Sequence, residues 1–152
     1  MILQDINITE LRTIPDERGY IKHIIKKSEL GGYENFGEVY MASIYPGVVK
    51  GWHLHTVQTQ NYVCLKGNIK LALYDKRPES PTFKQLQEIY MGELNHIRVK
   101  IPPGICNGYT AIGQQEAWVL NVSDKEHDPK EMHRIKPWDD GEINYNWSVV
   151  DK

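Results

Sequence analysis

Apolar and polar positions alternate over short runs along most of the chain. In Ile69-Lys70-Leu71-Ala72-Leu73-Tyr74 and Ile97-Arg98-Val99-Lys100-Ile101 one face is apolar, the two-residue period of a half-buried strand. Val39–Tyr45, Gln60–Leu65, Leu86–Met91 and Ala117–Val122 have the same length and are rich in Val, Ile, Tyr and Leu. Gly and Pro punctuate the gaps at Pro46-Gly47, Lys66-Gly67-Asn68, Pro78 to Pro81 and Pro102-Pro103-Gly104. Gly67-Asn68, between two strand runs, predicts a tight hairpin turn. Short helices are expected only at Lys26–Gly31 and near Asp128–His133. After Lys125 the text turns polar, then carries Trp138 and Trp147, so the tail is expected to pack back on the body of the protein. Many short strands at this spacing predict an all-β sandwich or barrel.

Length and composition narrow the class. The 152 residues suit a single domain over 1–152, long enough to bury a core. Hydrophobic residues at 40% and charged residues at 25% are ordinary for a globular chain. The net charge of −2 and the lack of any block of like charges leave no footprint for nucleic acid. MILQDINITE has no basic leader followed by an apolar run, and no apolar stretch approaches the roughly 20 residues of a membrane helix, so a cytoplasmic location without a membrane partner is expected. Cys64 and Cys106 are too few for a disulfide framework and read as buried, reduced thiols.

The candidate chemistry centres on one segment. Gly47 is followed after five residues by His53-Leu54-His55, after four more by Gln60 and after six more by Gly67. Histidines two apart on a strand point to the same side of the sheet. Downstream, Pro102-Pro103-Gly104 is followed after two residues by Asn107. These two spacings resemble the paired sequence motifs of the cupin superfamily, which implies a jelly-roll barrel (a double-stranded β-helix) with these residues inside. Cupins often hold a divalent metal on three His and one Glu. Here Gln60 and Asn107 stand at two of the four positions, and amides are poor ligands for transition metals, so no metal is expected.

Further matches run in one order along the chain. Asp16-Glu17-Arg18-Gly19-Tyr20, Lys50-Gly51-Trp52-His53, Asp75-Lys76-Arg77-Pro78-Glu79-Ser80-Pro81-Thr82-Phe83, Pro102-Pro103-Gly104 with Asn107-Gly108-Tyr109, and Trp138-Asp139-Asp140 resemble the dTDP-4-dehydrorhamnose 3,5-epimerase family. The resemblance implies a nucleotide-diphospho-4-keto-6-deoxy sugar as substrate, and epimerisation by removing a proton next to the ketone and returning it on the other face. It implies no cofactor, a role in deoxysugar or polysaccharide biosynthesis, and a homodimer that shares strands. His53 falls on the family's base, Asp140 on the carboxylate that orients it, and Arg18 on a residue that grips the diphosphate. A carboxylate on one ring nitrogen would fix the tautomer and raise the basicity of the other.

The departures fall in the pocket. The family's enolate-stabilising lysine maps to Gln60, its tyrosine acid to Asn121, its second pocket histidine to Asn107, and the arginine before Gly51 to Lys50. Amides donate hydrogen bonds but deliver no proton at neutral pH. Tyr62, Tyr109 and His55 are the candidate replacement acids, Tyr109 first because it lies beside Asn107. The substrate-binding set is therefore Arg18, Lys50, His55, Gln60, Asn107, Tyr109 and Asn121. A keto-sugar isomerase and a non-catalytic sugar-nucleotide binder remain as alternatives. Lys125 to Lys136, with His127 and His133, read as solvated surface, and Tyr20 reads equally as a base-stacking or a buried strand aromatic.

Overall fold

The computed structural model describes residues 2–27, 36–138 and 141–148. Two five-stranded antiparallel sheets face each other in a jelly roll. One has the order β1 (Asn7–Glu10), β9 (Ile97–Ile101), β6 (Gln60–Lys66), β11 (Ala117–Ser123), β4 (Glu38–Ile44). The other has the order β12 (Met132–Arg134), β5 (Val49–His55), β10 (Ile105–Ile112), β7 (Asn68–Asp75), β8 (Leu86–Gly92). A separate hairpin, β2 (Thr13–Asp16) with β3 (Gly19–Lys22), projects from the body with nearly every residue exposed.

The alternating runs become the strands predicted for them, to within one residue at each end. Gly67-Asn68 does not make a hairpin: β6 and β7 lie in opposite sheets, and Gly67 is the corner where the chain crosses between them. Its φ of 68° is left-handed, and a Cβ there would meet the Glu116 carbonyl at 2.8 Å, so the corner needs glycine. The stretch expected to be helical near Asp128–His133 instead ends in β12, and most of the Lys26–Gly31 helix expectation lies outside the described residues.

The side chains bury in two clusters. Between the sheets, Ile44, Ile69, Leu71, Leu73, Val99, Ile101 and Val119 fill one end of the barrel. On the outer face of the β5–β10–β7 sheet, Trp52 packs with Ala72, Cys106, Ile143 and Trp147. The C-terminal segment therefore does fold back, with the Trp52 and Trp147 rings 4.9 Å apart. Both cysteines are buried and free, and burial pushes the thiols up to about 11 for Cys64 and about 12 for Cys106.

The longest sequence match resolves into a structural knot. Asp75, fully buried at the end of β7, accepts hydrogen bonds from Arg77 Nη2 (2.7 Å), Ser80 Oγ (2.6 Å) and Thr82 Oγ1 (2.7 Å). Arg77 reaches on to Asp5 and to the Gln4 carbonyl, tying the N-terminus to the barrel. Burial alone would raise the Asp75 carboxyl, but bonds from Arg77, Ser80 and Thr82 outweigh it and hold it well below the usual carboxylate range. That contribution is complete above the unfolded value and fades as pH falls through the folded one. Asp75→Asn should lower unfolding free energy by roughly 3 kcal/mol at pH 7 and flatten the acid limb of the stability–pH curve, both read by urea titration.

Candidate active site

The polar end of the barrel opens into a cavity of about 670 Å³. Alternate residues of β4, namely Glu38, Tyr40 and Ala42, form one wall. Lys50, His53 and His55 on β5, with Tyr109 on β10, form the facing wall. Tyr62 closes the floor, while Gln58, His127, Met132 and Arg134 complete the rim.

A register shift aims the β5 side chains. His53 is opposite Asn107 and Lys50 opposite Tyr109, so Gly51 and Trp52 together face Gly108 alone. This extra residue is a β-bulge, which re-aims a strand next to a site. Without it, residues 50 and 53 would lie on opposite faces; with it, both line the cavity while Trp52 buries on the other side. The two glycines are required by close approach: a Cβ on Gly51 would meet Gly108 Cα at 2.7 Å, and one on Gly108 would meet the Trp147 ring at 2.9 Å.

His53 is mostly buried. Desolvation, then the positive fields of Arg134, His55 and Lys50, push its imidazole down to about 4. It is neutral at pH 7 and can accept a proton. Asp140, expected to orient it, lies outside the described residues.

The carboxylate found on a pocket imidazole is another one. His55 Nδ1 bonds Glu131 Oε1 at 2.5 Å, and Glu131 Oε2 accepts the Thr56 and Val57 amides at 2.9 and 3.1 Å. Burial opposes ionisation of Glu131, but the bonds from His55 and these amides hold it below its ordinary value. With Nδ1 committed, Nε2 is the His55 nitrogen left for other contacts. Glu131, Met132, His127 and Arg134 correct the reading of Lys125 to Lys136 as a solvated face: the chain there returns to the mouth of the barrel, and His127 is both exposed and part of the cavity rim.

Behind the cavity runs a buried chain of neutral groups. Tyr62 Oη donates to Asn107 Oδ1 (3.2 Å), Asn107 Nδ2 to Gln60 Oε1 (3.1 Å), Gln60 Nε2 to Gln58 Oε1 (3.2 Å), and Gln58 Nε2 to the Lys125 carbonyl (2.7 Å). Of the substrate-binding candidates, Lys50, His55 and Tyr109 line the cavity with His53, whereas Gln60 and Asn107 form its supporting layer. Asn121 is also buried behind the wall, accepting the Asn61 amide and donating to Tyr40 Oη at 3.2 Å. Arg18 sits at the tip of the β2–β3 hairpin, outside the cavity wall and paired with Asp16 at 2.6 Å. Tyr20, on the same hairpin, is exposed.

At the four cupin positions the amide oxygens of Gln60 and Asn107 are already accepting bonds, and His55 Nδ1 is held by Glu131. This donor set does not fit a divalent cation. Sequence reasoning missed Tyr40 and Glu131; the inward parity of Glu38, Tyr40 and Ala42 was a usable signal for the first, and nothing local marked the second.

The jelly roll, with an uncharged imidazole aimed into its open end, is that of a cupin-type barrel enzyme. The family model described as dTDP-4-dehydrorhamnose 3,5-epimerase matches residues 1–152, and the chain belongs to that family of isomerases. It is 32% identical over 150 residues to a probable low-salt glycan biosynthesis epimerase of Haloferax volcanii, covering 97% of this chain and 96% of the relative. It is 28% identical over 149 residues to the spore coat polysaccharide biosynthesis protein SpsL of Bacillus subtilis, covering 97% and 98%. A dTDP sugar isomerase from Desulfovibrio desulfuricans superposes with a TM-score of 0.89 at 33% identity, covering 98% of this chain and 94% of that one.

Two measurements check the electrostatics. Between the unfolded histidine value and about 4 the unfolded chain binds a proton at His53 that the folded chain refuses, so stability falls as pH drops through that window and is level above it. His53→Gln should remove up to about 3 kcal/mol of that acid-side loss in denaturant titrations run from pH 7 to 4. Glu131→Ala strips His55 and two backbone amides of one acceptor and should destabilise the fold by roughly 3 kcal/mol, measured by thermal melting.

Proposed function

We propose that the protein epimerises a nucleotide-diphospho-4-keto-6-deoxy sugar in the biosynthesis of a surface glycan, with His53 as the base. The observation that carries this is a neutral, mostly buried imidazole in a cavity sized for a sugar ring and flanked by cations. A hydrogen beside a ketone is acidic enough for such a base once the enolate oxygen is met by donors.

The pocket charges supply a linkage. Arg134 and Lys50 are part of what depresses His53. A bound diphosphate carries the opposite charge and offsets them, so His53 becomes more basic when substrate is in place. Lys50 is tied by Nζ to the Ser43 carbonyl at 2.6 Å, which fixes its charge near the gap between β5 and β4.

A homodimer is part of the reading. The β2–β3 hairpin exposes Ile14, Tyr20 and Ile21, and the outer face of β4 exposes Val39 and Met41. Exposed apolar side chains on a projecting hairpin are a surface for a second copy. In such a pair Arg18, remote from its own cavity, serves the diphosphate bound by the partner.

Incubation with a dTDP-4-keto-6-deoxyhexose in D2O, followed by NMR, tests the function. Deuterium should enter at C3, C5 or both with inversion, and His53→Asn should slow its uptake by about 10²–10⁴. Exchange at C3 with migration of the ketone would favour a keto-sugar isomerase, and binding without exchange would leave a non-catalytic sugar-nucleotide binder.

A further inference from the structure

We propose that Tyr40 delivers the proton to the sugar face opposite His53, with Asn121 as its positioning residue. This rests on the epimerase reading above and names the acid that reading leaves open. Inversion needs a proton donor on the far side of the sugar from the base. His53 stands on β5, and β4 belongs to the facing sheet. Glu38, Tyr40 and Ala42 alternate along β4 and all line the cavity that His53 lines, Tyr40 with 43% of its surface exposed, while Val39 and Met41 between them are not part of that wall. The phenol of Tyr40 therefore enters the site from the opposite wall.

Its hydroxyl is held from behind. Asn121 is the cross-strand partner of Tyr40 in the β11–β4 ladder, and its Nδ2 donates to Tyr40 Oη at 3.2 Å. The Asn121 amide cannot turn over without cost, because its Oδ1 accepts the Asn61 amide at 3.1 Å. The Tyr40 and Tyr62 hydroxyls are also hydrogen-bonded to each other. The Asn121 donor fixes where the phenol oxygen points.

The other candidates are placed less well. Tyr62 shares the facing sheet and closes the cavity floor, but it is buried and its hydroxyl proton is donated to Asn107. Tyr109 lies on β10, next to β5 in the sheet of His53 itself, and is the cross-strand partner of Lys50. His55 shares the strand of His53.

The step balances without an added reagent. His53 takes the proton from the carbon beside the ketone, and the C–H electron pair becomes the enolate double bond as the carbonyl pair moves onto oxygen. The ketone re-forms as that carbon takes the Tyr40 hydroxyl proton on its other face, leaving a phenolate beside Asn121 Nδ2. The imidazolium then returns a proton to the phenolate through solvent, and the site is restored.

Tyr40→Phe, assayed in D2O with a dTDP-4-keto-6-deoxyhexose, separates removal from delivery. Inversion should fall by about 10²–10⁴, while deuterium still enters the unchanged stereoisomer within about tenfold of the wild-type rate. Asn121→Leu should lower kcat with little change in KM, because the phenol loses the donor that aims it. Wild-type inversion by Tyr40→Phe would overturn the role of Tyr40 and leave the epimerase intact. So would loss of both exchange and inversion in a Tyr40→Phe protein with a wild-type melting curve. If the wild-type protein exchanges no deuterium, the epimerase reading falls and this proposal with it. Should Tyr40→Phe fail to fold, the kcat-against-KM split of Asn121→Leu decides, and an unchanged kcat in that variant would overturn the proposal.

Discussion

The close passage of β5 and β10 at Gly51 and Gly108 governs what the rest of the barrel can do. Two residues of β5 face one of β10 there; the β10 backbone comes too near for a Cβ on Gly51, and the Trp147 ring too near for one on Gly108. The bulge moves one residue out of step, so Lys50 and His53 share the interior although their spacing would set them on opposite faces. The same step sends Trp52 outward, where Trp147 covers it and the C-terminal segment is anchored. The shared interior placement of Lys50 and His53 and the closure of the outer hydrophobic cluster thus meet at one backbone irregularity.

Much of this was readable before any fold was in hand, and the reasons differ by segment. Ile97–Ile101 and Ile69–Tyr74 were legible because a half-buried strand writes its period directly into the text. Gly67-Asn68 was misread because turn residues between two strand runs do not say whether the runs pair with each other; only the sheet order does. The segment from Lys125 to Lys136 looked like solvated surface because β12 is three residues long and polar, too short to carry a period. Its contribution, Glu131 on His55 and Arg134 near His53, comes from residues 76 and 81 positions away from their partners.

Sequence matching also weighed the motifs unevenly. The run from Asp75 to Phe83 is the longest match to the family, yet its polar side chains close on one another and on Asp5, so it stabilises the barrel rather than touching the cavity. The pocket is where the match breaks. Gln60 and Asn107, read as losses of a lysine and a histidine, are members of a continuous chain from Tyr62 to the Lys125 carbonyl. A buried amide is costly only when unpaired, and these pair with each other. The substitutions keep the layer behind His53 uncharged, and Arg134 and Lys50 are the cations whose fields reach its imidazole.

Asn121 shows why a residue-by-residue comparison undercounts chemistry in a barrel. Aligned along the chain, it is an amide where a phenol was expected. Across the ladder, the residue directly opposite it is Tyr40, and the two side chains are hydrogen-bonded. Antiparallel neighbours lie about 5 Å apart, less than the length of a tyrosine side chain, so a phenol rooted on either strand reaches much of the same volume. A proton donor can therefore change strands without leaving the site, provided its new neighbour supplies the hydrogen bond that aims it. The constraint on the pocket is the position of a hydroxyl relative to an imidazole, and the sheet offers more than one backbone address from which to meet it.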